Sequence, residues 1–279
     1  MTYRHLPISF ATMRVHATTL AALLLLAACG GGSADDRPAE TVTTQSLEAA
    51  VVAVADTSTA TTTSEDSRPI WEGFAASSDT SRGLAAMAHG PVEVFSNPGD
   101  PEPEMTLDAT TILDTVTVLA VVDAPGDGWV EVMLPVRPNG STGWVSMDQV
   151  SLYTVDGEIH IDLSERALTY VVDGVTVLET EVGIGSEHNR TPVGEFFVTD
   201  NVTLADPNSP WGPHALGLSA RSETITEFNG GDGIIGIHGT NNPGSIGGSI
   251  SLGCVRLPND KITSLHEKVP IGTRVKVTA

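Results

Sequence analysis

Apolar and polar residues alternate in short runs through most of the chain beyond Pro91, and strands follow from that period of two. Pro91-Val-Glu-Val-Phe95, Val116–Val122 and Trp129–Leu134 read as strands. Asn139-Gly140, between Met133–Val136 and Gly143–Ser146, marks a hairpin, because both residues tolerate positive φ. Further on, His160–Leu163, Ala167–Val172, Val175–Leu178, Phe196–Thr199, Ile234–His238 and Ile271–Val277 are strand-like, with Asp173-Gly174 as a tight turn. Only Asp260–Lys268 reads as a helix, started by Pro258-Asn259. The fold class expected is mainly β, in two parts, with one or two short helices.

The N-terminus has a different pattern. Leu20 to Ala28 is one apolar run, preceded by Arg14 and followed by Cys29-Gly30-Gly31. The run is about half the ~20 residues a spanning helix needs, which fits a secretory signal. Leu26-Ala27-Ala28-Cys29 resembles a bacterial lipobox, which implies cleavage before Cys29 and lipidation of its sulfur. From Gly30 to about Ala86 the chain is rich in Ser, Thr, Ala and acids. Little there repays ordering, so residues 29–87 are expected to be a disordered tether. The organisation expected is a signal at 1–28, the tether, a small barrel at 88–152 and a second β-rich domain at 153–279.

Composition agrees with strands and turns: 28 Gly, 17 Pro and 5% aromatic residues. Net charge is −21, and loss of residues 1–28, which hold Arg4 and Arg14 and no acid, takes it to −23. That sign excludes a nucleic-acid partner, since nothing could replace phosphate counterions. It equally opposes electrostatic binding to anionic lipid. The two cysteines are Cys29 and Cys254. With Cys29 lipidated, Cys254 has no partner within the chain, and a free thiol in an exported protein calls for a chemical role.

A cysteine nucleophile needs a base, because a free thiol is mostly protonated at neutral pH. His238 ends a strand before Cys254, whereas His266 falls on the helix, at a surface position. The residues between His238 and Cys254 are rich in glycine and can fold the two ends together. Gly253 permits a sharp turn that aims successive N–H groups at one spot, as an oxyanion requires. Alternation puts Cys254 and Arg256 on one face and Val255 and Leu257 on the other. Arg256 can then grip a substrate carboxylate, pair with an acid such as Asp260, or do both. A zinc site from His238 and Cys254 has too few ligands.

His238-Gly-Thr240 followed by Ser251-Leu-Gly-Cys254-Val-Arg256-Leu257 resembles the catalytic signature of L,D-transpeptidases of the YkuD type. Arg190-Thr-Pro-Val-Gly-Glu-Phe-Phe197 and Pro210-Trp-Gly-Pro-His-Ala-Leu-Gly-Leu218 agree with it. The resemblance covers about residues 157–279. It implies an acyl-enzyme on Cys254, His238 as base, and the carbonyl of Gly239 orienting the histidine. Backbone N–H groups of Leu252, Gly253 and Cys254 are the implied oxyanion hole; Arg256, Ser251 and Thr240 are expected to contact substrate. Many members carry histidine where this chain has Leu252. His214 is expected to pack rather than to meet substrate. The stretch before this domain resembles a bacterial SH3-like barrel, with Trp129 and Trp144 able to line a groove and at least one of them expected to pack in the core.

The implied reaction is 3→3 cross-linking of peptidoglycan tetrapeptide stems, without metal or cofactor, by a monomer in the cell envelope, anchored to a membrane through Cys29. Two alternatives remain open: an L,D-carboxypeptidase on the same stems, and a wall-binding lipoprotein with a degenerate catalytic domain.

Overall fold

A computed structural model describes residues 82–228 and 231–279. The signal, the lipobox cysteine Cys29 and all but the end of the expected tether lie outside the described residues. Seven strands fill residues 82–156: β1 (Arg82–Ala88), β2 (Val92–Val94), β3 (Met105–Leu107), β4 (Val118–Asp123), β5 (Trp129–Met133), β6 (Thr142–Ser146) and β7 (Val150–Asp156). Five of them form an antiparallel sheet in the order β6-β5-β4-β1-β7, and β2 pairs with β3. Alternation explains the core: Leu84, Val92, Val94, Leu119, Val121, Val130, Val132 and Val145 are all buried in one cluster.

Two boundaries differ from expectation. Residues 82–87 are not tether: they belong to β1, at the centre of the first sheet, with Leu84, Ala85 and Ala86 buried. Their small alanines carry little burial signal alone, and the neighbours β4 and β7 supply it. The break expected at 152/153 falls inside β7, whose seven residues all pair with β1.

The rest of the chain builds β8 (Glu158–Asp162), β9 (Ala167–Val172), β10 (Val175–Glu181), β11 (Ile184–Gly185), β12 (Gly194–Thr203), β13 (His214–Arg221), β14 (Ile234–His238), β15 (Ser249–Ser251), β16 (Val255–Arg256), α1 (Asn259–Lys268) and β17 (Arg274–Thr278). Eight of these strands form one sheet, β10-β9-β8-β17-β12-β13-β14-β16. Most pairs are antiparallel; β17/β8 and β14/β16 are parallel. The turn between β9 and β10 places Asp173 and Gly174 at φ 49° and 74°, as an Asp-Gly hairpin requires. Helix α1 presents Ile262 and Leu265 to a core that includes Leu216, Leu218, Ile235, Ile237, Val255 and Leu257. No helix of the described residues is long and apolar enough to cross a membrane.

The two sheets share contacts. Phe197 of β12 is buried in the core of the first sheet. Tyr153 donates its hydroxyl to Ile271 O at 2.8 Å, and the Arg274 guanidinium donates to Val121 O.

Candidate active site

Strands β14 and β16 run parallel, with His238 in register with Arg256 and Ile237 with Val255. Leu257 N–H donates to His238 O at 2.8 Å, which extends the ladder past the strand end. Val255 and Leu257 are fully buried, whereas Cys254 and Arg256 are half-buried and face a common cavity of about 190 Å³. His238, Trp211, Ser251 and Leu252 line the same cavity. Cys254 is a free thiol. Its Sγ accepts from the N–H of Gly236, two residues before His238, at 3.4 Å.

His238 is held from two sides. Nδ1 lies 2.6 Å from Gly239 O. A carbonyl only accepts, so Nδ1 carries the proton and Nε2 keeps its lone pair. The Trp211 ring packs against the imidazole, with centroids 4.5 Å apart. Gly239 itself is locked by the start of α1: Asn259 Oδ1 accepts from Thr240 N–H at 2.8 Å. A Cβ on Gly239 would stand 2.4 Å from that Oδ1, so only glycine fits the approach.

The turn that carries Cys254 is braced by side-chain hydroxyls. Ser251 Oγ donates to Cys254 O at 2.6 Å and accepts from Gly253 N–H at 3.1 Å. Thr191 Oγ1 donates to Gly253 O at 2.8 Å and accepts from Gly185 N–H at 2.9 Å. Gly253 has φ 118°, a conformation side chains resist, and its missing Cβ would meet Ile235 Cδ1 at 2.8 Å.

Burial sets the protonation states. It pushes the His238 imidazole down to about 4, against the Gly239 hydrogen bond, which favours the charged ring; the nearby Arg256 charge adds to the depression. Burial also pushes the Cys254 thiol up, opposed by the Gly236 hydrogen bond and by Arg256. At neutral pH the pair therefore rests as thiol and imidazole. The thiolate–imidazolium ion pair that a cysteine–histidine couple can form is not favoured here, because both charges would lie in a desolvated site.

The other residues singled out in the sequence divide between the cavity and its surroundings. Thr240 does not line the cavity: it is buried, and its hydroxyl accepts from Asn242 N–H at 3.0 Å. Gly253 N–H is already given to Ser251, so the N–H groups of Leu252 and Cys254 are the ones left for an oxyanion. Leu252 is half exposed at the cavity. His214 stacks on His266 at 3.9 Å, outside the cavity lining. Of the two roles open to Arg256, the salt bridge does not form among the described residues: the guanidinium has no acid partner there, and its buried Nε has no hydrogen bond. Trp129 packs edge-on to Phe95 at 5.2 Å, and both Trp129 and Trp144 are half-buried.

Trp211, Thr191 and Asn259 are the residues that sequence reasoning missed. The first two lie within the motifs quoted above, but their partners are remote in sequence.

A family model described as the L,D-transpeptidase catalytic domain matches residues 156–277. The L,D-transpeptidase-family protein YkuD of Bacillus subtilis is 32% identical over 125 residues, which span 45% of this chain and 68% of the relative. Its Bacillus licheniformis namesake is 31% identical over 155 residues, spanning 53% and 86%. Among solved structures, the catalytic domain of the Enterococcus faecium L,D-transpeptidase covers 44% of this chain and 97% of its own, at 25% identity and a TM-score of 0.33. The chain belongs to the L,D-transpeptidase family.

Proposed function

We propose that this protein is a peptidoglycan L,D-transpeptidase that forms 3→3 cross-links through an acyl-enzyme on Cys254. The observation that carries this reading is the His238 tautomer. With Nδ1–H held by Gly239 O, Nε2 is an unprotonated base in the cavity that Cys254 lines.

The donor is a tetrapeptide stem whose third residue is a diamino acid. Cys254 Sγ attacks the carbonyl carbon between that residue and the terminal D-Ala, and its proton passes to His238 Nε2. The N–H groups of Leu252 and Cys254 receive the negative charge on oxygen, an interaction typically worth about 3–4 kcal/mol per donor. Collapse breaks the C–N bond; His238 returns the proton to the leaving amine, and D-Ala departs. An acceptor amine then gives its proton to His238, attacks the thioester carbon and expels the Cys254 thiolate, which recovers the proton. Arg256, with no acid partner among the described residues, is available to take the carboxylate of the donor stem through paired hydrogen bonds. Attack by water instead of the amine makes the enzyme a carboxypeptidase.

Lipidation at Cys29, an envelope location on a membrane surface, a monomeric state and an SH3-like first unit that binds or spaces the wall complete the proposal. The exposed Leu252 favours a second reading, a binder with an idle site. Intact mass after exposure to a carbapenem separates the two. An adduct that is lost in Cys254→Ala supports the enzyme. A folded, reduced protein that takes up no carbapenem is the binder.

A further inference from the structure

The catalytic cavity has a wall that the catalytic sheet does not hold alone. Beyond β13, Ser222, Ile225 and Phe228 line the cavity. The tie on the base of this segment comes from the first sheet, from the hairpin between β5 and β6. Arg137 Nη2 donates to Ser222 O at 3.0 Å and to Ile225 O at 3.1 Å. Its Nη1 reaches Asp232 at 3.4 Å, the carboxylate that Arg221 Nε also meets, at 2.8 Å. Asn139 acts as a backbone substitute at the end of β13: its Nδ2 donates to Arg221 O, and its Oδ1 accepts from Arg221 N–H, both at 2.8 Å. These bonds sit where the β13/β14 ladder shifts register.

From that base the contacts lead to the chemistry. Ser222 Oγ accepts from Ile225 N–H at 3.0 Å, which closes the turn under the wall. Phe228 packs on Trp211 at 6.3 Å, and Trp211 packs on the His238 ring at 4.5 Å. Arg137 is a planar fork with donors in fixed directions, suited to binding two carbonyls and a carboxylate together.

We propose that Arg137 and Asn139 are positioning residues for the reaction: they hold the Ser222–Phe228 wall, and with it the geometry in which the donor stem binds. This rests on the reading of the cavity as a stem-binding acylation site. Neither residue touches the reacting atoms. Wall position affects binding of the substrate ahead of the chemical step, so loss of the clamp raises KM more than it lowers kcat.

The test uses the full chain with Arg137→Ala, Arg137→Lys and Asn139→Ala. D-Ala release from a synthetic tetrapeptide stem gives kcat and KM, and hydrogen exchange reads the amides of Thr224 and Ile225. The expected result for Arg137→Ala is a KM about tenfold higher, kcat within about threefold, and faster exchange at those amides with β9 unchanged. Arg137→Lys keeps the charge opposite Asp232 but not the fork, and falls between; should Arg137→Ala not fold, Lys and Asn139→Ala carry the test. A folded variant with KM within twofold of the parent and unchanged exchange overturns the proposal, as does exchange accelerated equally throughout, which marks a stability role only. If the parent protein releases no D-Ala and takes no carbapenem, the proposed function fails by itself. Local exchange then still decides whether the clamp holds the wall.

Discussion

Thr191 and Gly253 are joined by a buried hydrogen bond of 2.8 Å, from the threonine hydroxyl to the carbonyl just before Cys254. The same hydroxyl accepts the N–H of Gly185, so one side chain ties the turn that carries Cys254 to the segment after β10. Thr191→Val keeps the shape and strands both partners. It should cost about 1–3 kcal/mol in urea unfolding and slow carbapenem acylation of Cys254. Thr191→Ser, which keeps the oxygen, should recover most of both. Equal behaviour of Val and Ser variants would mean that the hydrogen bond does not brace the turn.

The depressed His238 imidazole makes stability depend on acid. Between pH 6.5 and about 4 the unfolded chain binds a proton that the native chain refuses. Stability from this group is complete above pH 6.5 and is lost as pH falls toward 4, by about 3 kcal/mol in all. Unfolding of the parent and of His238→Gln at pH 7 and 4.5 isolates it. The parent should lose more than the variant; equal losses would mean the ring is not held neutral.

Catalysis should follow the same group. The acid limb of carbapenem acylation is expected close to pH 4, not at the usual histidine value. A limb centred near 6.5 would show that the imidazole is solvated in the working enzyme.

Arg256→Gln should raise KM for a tetrapeptide stem by tenfold or more, the order expected when a paired carboxylate contact is lost. It should also raise the Cys254 thiol further, since the guanidinium favours the thiolate. Iodoacetamide alkylation against pH reads the second effect without any stem peptide. An unchanged KM would return Arg256 to a structural role.

Gly239→Ala should disable the site while the sheet still forms. The added methyl would need the space of Asn259 Oδ1, 2.4 Å away, so α1 or the His238 turn must shift. Acylation should fall by about a hundredfold or more, as misplacement of a catalytic group does. Activity within threefold of the parent would show that the Asn259 clamp is dispensable.

Alternation was enough to find most strands, because period two is local: β9 and β14 have the bounds their apolar pattern indicates, and α1 begins at the proline–asparagine signal. It missed β1, whose Gly-Leu-Ala-Ala run has too little apolar area to stand out until β4 and β7 cover it. That Cys254, Arg256 and His238 would border one cavity was likewise readable from spacing and alternation. The set of elements and the reactive residue types are legible along the chain, since each depends on residues close together in it. Their supports come from folding. Thr191 beneath Gly253, Trp211 against His238, Asn259 behind Gly239 and Arg137 under the cavity wall are contacts between distant segments. The burial that leaves Cys254 and His238 neutral is a property of all those segments packed together, and no short stretch of sequence contains it.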